Sequence, residues 1–121
     1  MENTNAVEAL AALAQDNRLE IFRLLVQAGP EGMPAGAVAT ALGLAPNTLT
    51  FHFYRLKAAG LVTVRRDGRS MIYAAQFDTM NALLGFLTEN CCGGASCAPP
   101  EPAPPEPPKP ARKRIAAWGM R

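Results

Sequence analysis

A chain of 121 residues with net charge +2 is long enough for one domain with extensions and carries no strong global charge. Its apolar runs are far too short for a membrane helix, and no basic start followed by an apolar stretch marks a secretory leader. A cytoplasmic protein with reduced thiols is therefore expected.

The predicted elements begin with a helix over residues 6–14, where Val7, Leu10 and Leu13 recur at helical spacing. Asp16 is expected to cap a second helix from Asn17 to about Gln27, burying Leu19, Phe22, Leu25 and Val26. Gly29-Pro30-Glu31-Gly32 reads as a loop. Pro34 suits the first turn of a short third helix that Gly43 ends. After the tight turn Gly43-Leu44-Ala45-Pro46, Pro46 opens a longer helix to about Ala59, closed by Gly60. Its core stripe is Leu49, Phe53 and Leu56, and the opposite face shows Thr48, His52 and Arg55, with Asn47 and Thr50 near the start. Phe51 and Tyr54 are expected to pack, with base stacking as the alternative. Leu61–Arg66 and Ser70–Ala75 flank Asp67-Gly68 and predict a β-hairpin with arginines at its tip. A last helix is predicted from about Phe77 to Asn90, with Met80, Leu83, Leu84 and Leu87 apolar. From Ala98 the chain turns proline-rich and ends in a basic cluster at Arg112-Lys113-Arg114. The expected organisation is a folded domain over 1–97 and a disordered, basic-ended tail over 98–121.

Charge is unevenly spread along this plan. Residues 1–54 carry Arg18 and Arg23 against five acids, giving −3. Residues 55–69 carry Arg55, Lys57, Arg65, Arg66 and Arg69 against Asp67, giving +4. A basic segment on a mildly acidic body is the footprint of a module that docks phosphates with one face; a solvated charged surface is the alternative.

All three cysteines, Cys91, Cys92 and Cys97, fall within seven residues. Two adjacent thiols, a Gly93-Gly94 hinge and a third thiol suit a thiophilic ion that takes three sulfurs. Zinc wants a fourth ligand, and this run has no histidine. Trivalent arsenic needs only three sulfurs. Three neutral thiols and arsenous acid give a neutral arsenic–trithiolate and water, so neither charge nor proton count changes. Cadmium or zinc would instead displace protons and leave negative charge. Cadmium, lead, antimony(III) and bismuth are also chemically possible, and methylarsenite needs only the Cys91–Cys92 pair. A disulfide from Cys97 to either neighbour is a redox alternative. The chain has no Cys-x-x-Cys on a strand–helix unit and only one histidine, so an enzyme is not expected.

Helix–helix–helix–turn–helix–hairpin–helix is the winged helix-turn-helix plan: mainly α, with a β-hairpin wing. The segments Leu13-Ala-Gln-Asp-Asn-Arg-Leu-Glu-Ile-Phe-Arg-Leu-Leu25, Val38-Ala-Thr-Ala-Leu-Gly-Leu44, Asn47-Thr-Leu-Thr-Phe-His52 and Leu56-Lys-Ala-Ala-Gly-Leu-Val62 strongly resemble the ArsR/SmtB family of repressors. The resemblance runs from about residue 6 to 90, and the cysteine run resembles that of arsenite-responsive members with C-terminal cysteines. It implies a homodimer built on the first and last helices. It also implies repression of an arsenic-resistance operon, relieved by As(III) or Sb(III) at Cys91, Cys92 and Cys97. A thiol redox sensor or a Cd/Zn sensor of the same fold is the alternative.

This chain departs from the family in three places. Ala35-Gly-Ala-Val-Ala39 lacks the thiols that many arsenic sensors carry on this helix, and Ala45 replaces the usual serine cap of the fourth helix. The acidic and histidine ligands that relatives use for zinc on the last helix are not evident, since that region offers Asp78 and Glu89 but no histidine.

On double-stranded operator DNA, Asn47, Thr48, Thr50 and His52 are expected at base edges. Arg55, Arg66 and Arg69 are expected at phosphates, with a wing arginine near the minor groove. A local backbone cap is the alternative for Asn47, an ordinary exposed helix face for Thr48 and Thr50, and a surface or core-edge role for His52.

Overall fold

The computed structural model describes residues 1–94. Cys97 and the proline-rich tail lie outside the described residues, as does the expected domain boundary at 97/98. The chain divides into a unit over 1–89 and a second that begins at Asn90.

Helix α1 (Asn3–Leu13) buries an alanine face, Ala6, Ala9 and Ala12, and leaves Val7 and Leu10 exposed. Small side chains on that face let neighbouring helices approach closely. Helix α2 (Asp16–Ala28) buries Arg18, Ile21, Phe22 and Leu25. Its cap is Gln15, whose side-chain oxygen accepts the Arg18 backbone N–H at 3.0 Å, so Asp16 is not the cap but the first residue. There its carboxylate complements the helix dipole. Leu19, expected inside, is exposed.

A two-residue strand β1 (Met33–Pro34) stands where loop and helix start were expected, and α3 (Ala35–Leu42) follows it directly. It pairs antiparallel with the return strand of the hairpin, Met33 opposite Tyr73 and Pro34 opposite Ile72. Gly32, with φ +75°, makes this approach possible, because a Cβ there would collide with the Tyr73 carbonyl. The hairpin itself is β2 (Val62–Asp67) and β3 (Ser70–Ala75), registered from Val62–Ala75 to Asp67–Ser70. The sheet order is β1-β3-β2.

Gly43 closes α3 in the left-handed conformation, and the Leu44 N–H returns to the Ala39 carbonyl at 3.0 Å. Helix α4 (Pro46–Ala58) then starts with proline in its first turn and, as the Ala45 substitution implies, no side-chain cap. Helix α5 (Phe77–Leu87) is shorter than expected: Thr88 ends it, its hydroxyl donating to the Leu84 carbonyl at 2.9 Å.

The core centres on Ile21, Leu25, Val38, Leu56 and Leu61. Phe53 of α4 stacks on Tyr73 of β3 with ring centroids 3.7 Å apart, which fixes α4 against the hairpin. Among the described residues no helix is long and apolar enough to cross a membrane.

Candidate nucleic-acid interface and thiol pair

The α3–turn–α4 unit places one long helix with a polar outer face beside a basic hairpin. Along α4, Leu49, His52, Phe53 and Leu56 are buried, while Asn47, Thr48, Thr50, Phe51, Tyr54 and Arg55 are exposed. Two of the expected base-contacting groups carry local bonds. The Asn47 side-chain oxygen accepts the Thr48 N–H at 3.0 Å, and the Thr50 hydroxyl donates to the Pro46 carbonyl at 3.0 Å. The Asn47 oxygen keeps a second lone pair and its amide NH2 is not used in this bond, so the local contact is compatible with bidentate pairing to adenine.

His52 corrects the expectation that it faces outward. It is 6% exposed, and its Nδ1 lies 3.4 Å from Nη1 of Arg18, itself 8% exposed. Arg18 also donates from Nε to the Ala12 carbonyl at 2.6 Å. One buried guanidinium thus joins the end of α1, the start of α2 and the inner side of α4. Burial holds the His52 imidazole below its ordinary pKa, and the Arg18 charge pushes the same way. A neutral His52 can accept a hydrogen bond at Nδ1; an imidazolium cannot. In this position its ring supports α4 from inside and does not reach a base.

Phe51 and Tyr54, expected to pack, are instead 52% and 69% exposed. The Arg55 guanidinium carbon sits 5.9 Å from the Phe51 ring centroid, within cation–π range. In the wing, Gly68-Arg69 forms the two-residue loop, with Gly68 at φ +64°. Arg66 and Arg69 are exposed, as a phosphate role requires. Arg65 is engaged otherwise: its Nη2 donates to the Glu31 carbonyl at 3.0 Å, bracing the wing against the loop before β1.

In the second unit, the sulfurs of Cys91 and Cys92 lie side by side, 3.8 Å apart and exposed. Cys92 adopts a left-handed backbone (φ 56°, ψ 35°), which glycine tolerates far better than cysteine. Gly93 and Gly94 continue the turn at positive φ. Cys91 is disulfide-bonded and Cys92 is a free thiol. Among the described residues no cluster of three metal-ligating side chains is formed; the third expected ligand, Cys97, lies outside them.

Comparison with known proteins places this geometry. Residues 13–65 match a helix-turn-helix domain family. The nodulation protein NolR of Rhizobium meliloti is 36% identical over 80 residues, 66% of this chain; the chain spans 63% of NolR's length. The uncharacterised HTH-type transcriptional regulator YceK of Bacillus subtilis is 35% identical over 77 residues, covering 63% of this chain and 76% of that protein. Among solved structures, a homodimeric winged helix-turn-helix DNA-binding domain from Mycobacterium bovis, described as a possible ArsR-family regulator, superposes with TM-score 0.59 at 28% identity. It covers 76% of this chain and 85% of that domain. The chain belongs to the ArsR-like family of winged helix-turn-helix transcriptional regulators.

Proposed function

We propose that this protein is a homodimeric repressor that binds operator DNA through α4 and the wing. It lets go when As(III), or a similar trivalent thiophilic ligand, is captured by Cys91, Cys92 and Cys97. The observation that carries the ligand half of this reading is the exposed Cys91–Cys92 pair with sulfurs 3.8 Å apart, close enough for one soft atom to bind both. Capture uses thiols, so Cys91 must be in its reduced form. The neutral product transfers no charge to the protein, so release is mechanical: closing the thiols on one atom reorganises the turn that follows α5 in sequence.

The DNA half is supported by the exposed polar face of α4, by Arg55, Arg66 and Arg69, and by the +4 charge of residues 55–69. The homodimer is supported by exposed leucines and valine on two helices, Val7 and Leu10 on α1 and Leu84 and Leu87 on α5. A partner helix laid against these aliphatic side chains would remove their apolar surface from water. The Mycobacterium bovis domain is described as homodimeric. A redox-sensing variant of the same function is favoured by one observation, the disulfide at Cys91.

Arsenite titration of the reduced protein tests the ligand. The expected result is one arsenic per subunit and loss of all three thiols to a thiol-specific reagent. Three thiols that stay reactive at saturating arsenite would sink the arsenic reading and leave redox sensing.

A further inference from the structure

We infer that Phe51 and Tyr54 set sequence specificity by placing their rings against the 5-methyl groups of thymines in the major groove. This rests on the reading of α4 as the DNA-reading helix and deepens it.

The first argument is position. At about 100° per residue around a helix, Phe51 lies about 200° from Leu49, almost opposite the buried stripe of Leu49, Phe53 and Leu56. Tyr54 and Asn47 flank it on one side. The rings thus occupy the middle of the outer face, with Thr48, Thr50 and Arg55 around them. The core is closed without them, since Leu49, Phe53 and Leu56 are 3% exposed or less. Two aromatic rings half or more in water leave apolar surface that a ligand seated on this face would bury.

The second argument is the chemistry of the surroundings. A protein partner's interface core is depleted of charge. These rings sit among Arg55 and Lys57 at the head of the +4 segment, which suits a polyanion. The thymine methyl is the one apolar group on the major-groove edges of the bases, and phenyl contact is among its established readouts. The Arg55 guanidinium 5.9 Å from the Phe51 centroid restrains that ring while keeping its own charge on the outer face. Along the helix axis Phe51 and Tyr54 are about 4.5 Å apart, against about 3.4 Å between successive bases on a strand. One ring per neighbouring base pair is the natural fit.

The test uses the full-length protein and a duplex it enriches from a random pool. Each thymine of that duplex is replaced singly by uracil, which removes only the methyl group, and affinity is read by fluorescence anisotropy. Wild type should lose about fourfold at one or two positions per half-site, the worth of one buried methylene-sized group. Phe51→Ala should bind the thymine and uracil forms equally at one such position and keep the penalty at the other; Tyr54→Ala should do the reverse. Unchanged circular dichroism confirms that these exposed substitutions leave the fold intact. Equal wild-type affinity for every uracil duplex, or penalties that survive in both variants, overturns the inference while DNA binding stands. Failure to enrich any duplex overturns the DNA-binding reading beneath it.

Discussion

Nη1 of Arg18 on α2 meets Nδ1 of His52 on α4 at 3.4 Å, with both side chains buried. The pair works only with a neutral imidazole, because Nδ1 must accept. His52 has a folded pKa below that of the unfolded chain. Its contribution to stability is therefore complete above the unfolded value of about 6.5. It is lost as pH falls from there through the folded value. Urea unfolding at pH 7.5 and at pH 5 should show wild type losing stability in acid, and His52→Gln losing less. Equal acid sensitivity of the two proteins would show that His52 does not carry the effect.

Arg18 holds more than the imidazole. Its Nε caps the Ala12 carbonyl at 2.6 Å, so Arg18→Ala leaves two buried acceptors without their donor. A loss of about 2–4 kcal/mol in unfolding free energy is expected, and binding of any duplex should weaken as α4 loses its inner support. A loss within about 0.5 kcal/mol, read by urea melts, would assign the contact no structural weight.

The wing arginines divide by partner. Arg66→Ala should weaken binding to all duplexes and lower the salt slope by about one. Arg65→Ala should change the slope less, because its guanidinium is committed to the Glu31 carbonyl. Log-log plots of affinity against salt for both variants decide it; a larger slope change for Arg65→Ala would reverse the assignment.

Gly32 carries the approach of β1 to β3. Gly32→Ala meets the Tyr73 carbonyl and a φ of +75° at once, and should cost about 1–3 kcal/mol in thermal or urea unfolding. A neutral substitution would mean that β1 is free to shift without loss.

How much of this was legible in the sequence depended on range. The α3–turn–α4 unit and the hairpin declared themselves through local signals: Gly43 at a helix end, Pro46 at a helix start, and alternation around Asp67-Gly68. Strand β1 did not. It is two residues long, and its only reason to be a strand is pairing with Tyr73 and Ile72 about forty residues on. A stripe read from Leu49, Phe53 and Leu56 alone leaves His52 on the outer face of α4, with a core-edge role as the alternative, and the structure buries it. It lies three residues after Leu49 and four before Leu56, the spacing of a buried position, but its polarity suggested the surface. The missing information was a buried partner, Arg18, 34 positions away. Phe51 and Tyr54 differ in the opposite sense: aromatic character suggests packing, and helical phase puts both outside. The inward alanine face of α1 was likewise hidden behind the more conspicuous Val7 and Leu10.

Val7, Leu10, Leu84 and Leu87 should lie in the dimer contact. Leu84→Glu or Leu87→Glu should convert the protein to monomer in light scattering and abolish specific binding, since one subunit reads only half a site. A dimer that survives both substitutions would place the contact elsewhere.

Release of a fluorescent, protein-selected duplex is the most direct measurement of the proposed switch. Arsenite, methylarsenite, cadmium and zinc are titrated separately in a phosphine reductant that does not compete for arsenic. Arsenite should lower affinity by about 5–150-fold and zinc should not. Cys91→Ser and Cys92→Ser should bind the duplex as wild type does but stay bound in arsenite. Reduced wild-type protein that holds its DNA unchanged through saturating arsenite and methylarsenite would contradict a thiol-gated repressor of this kind.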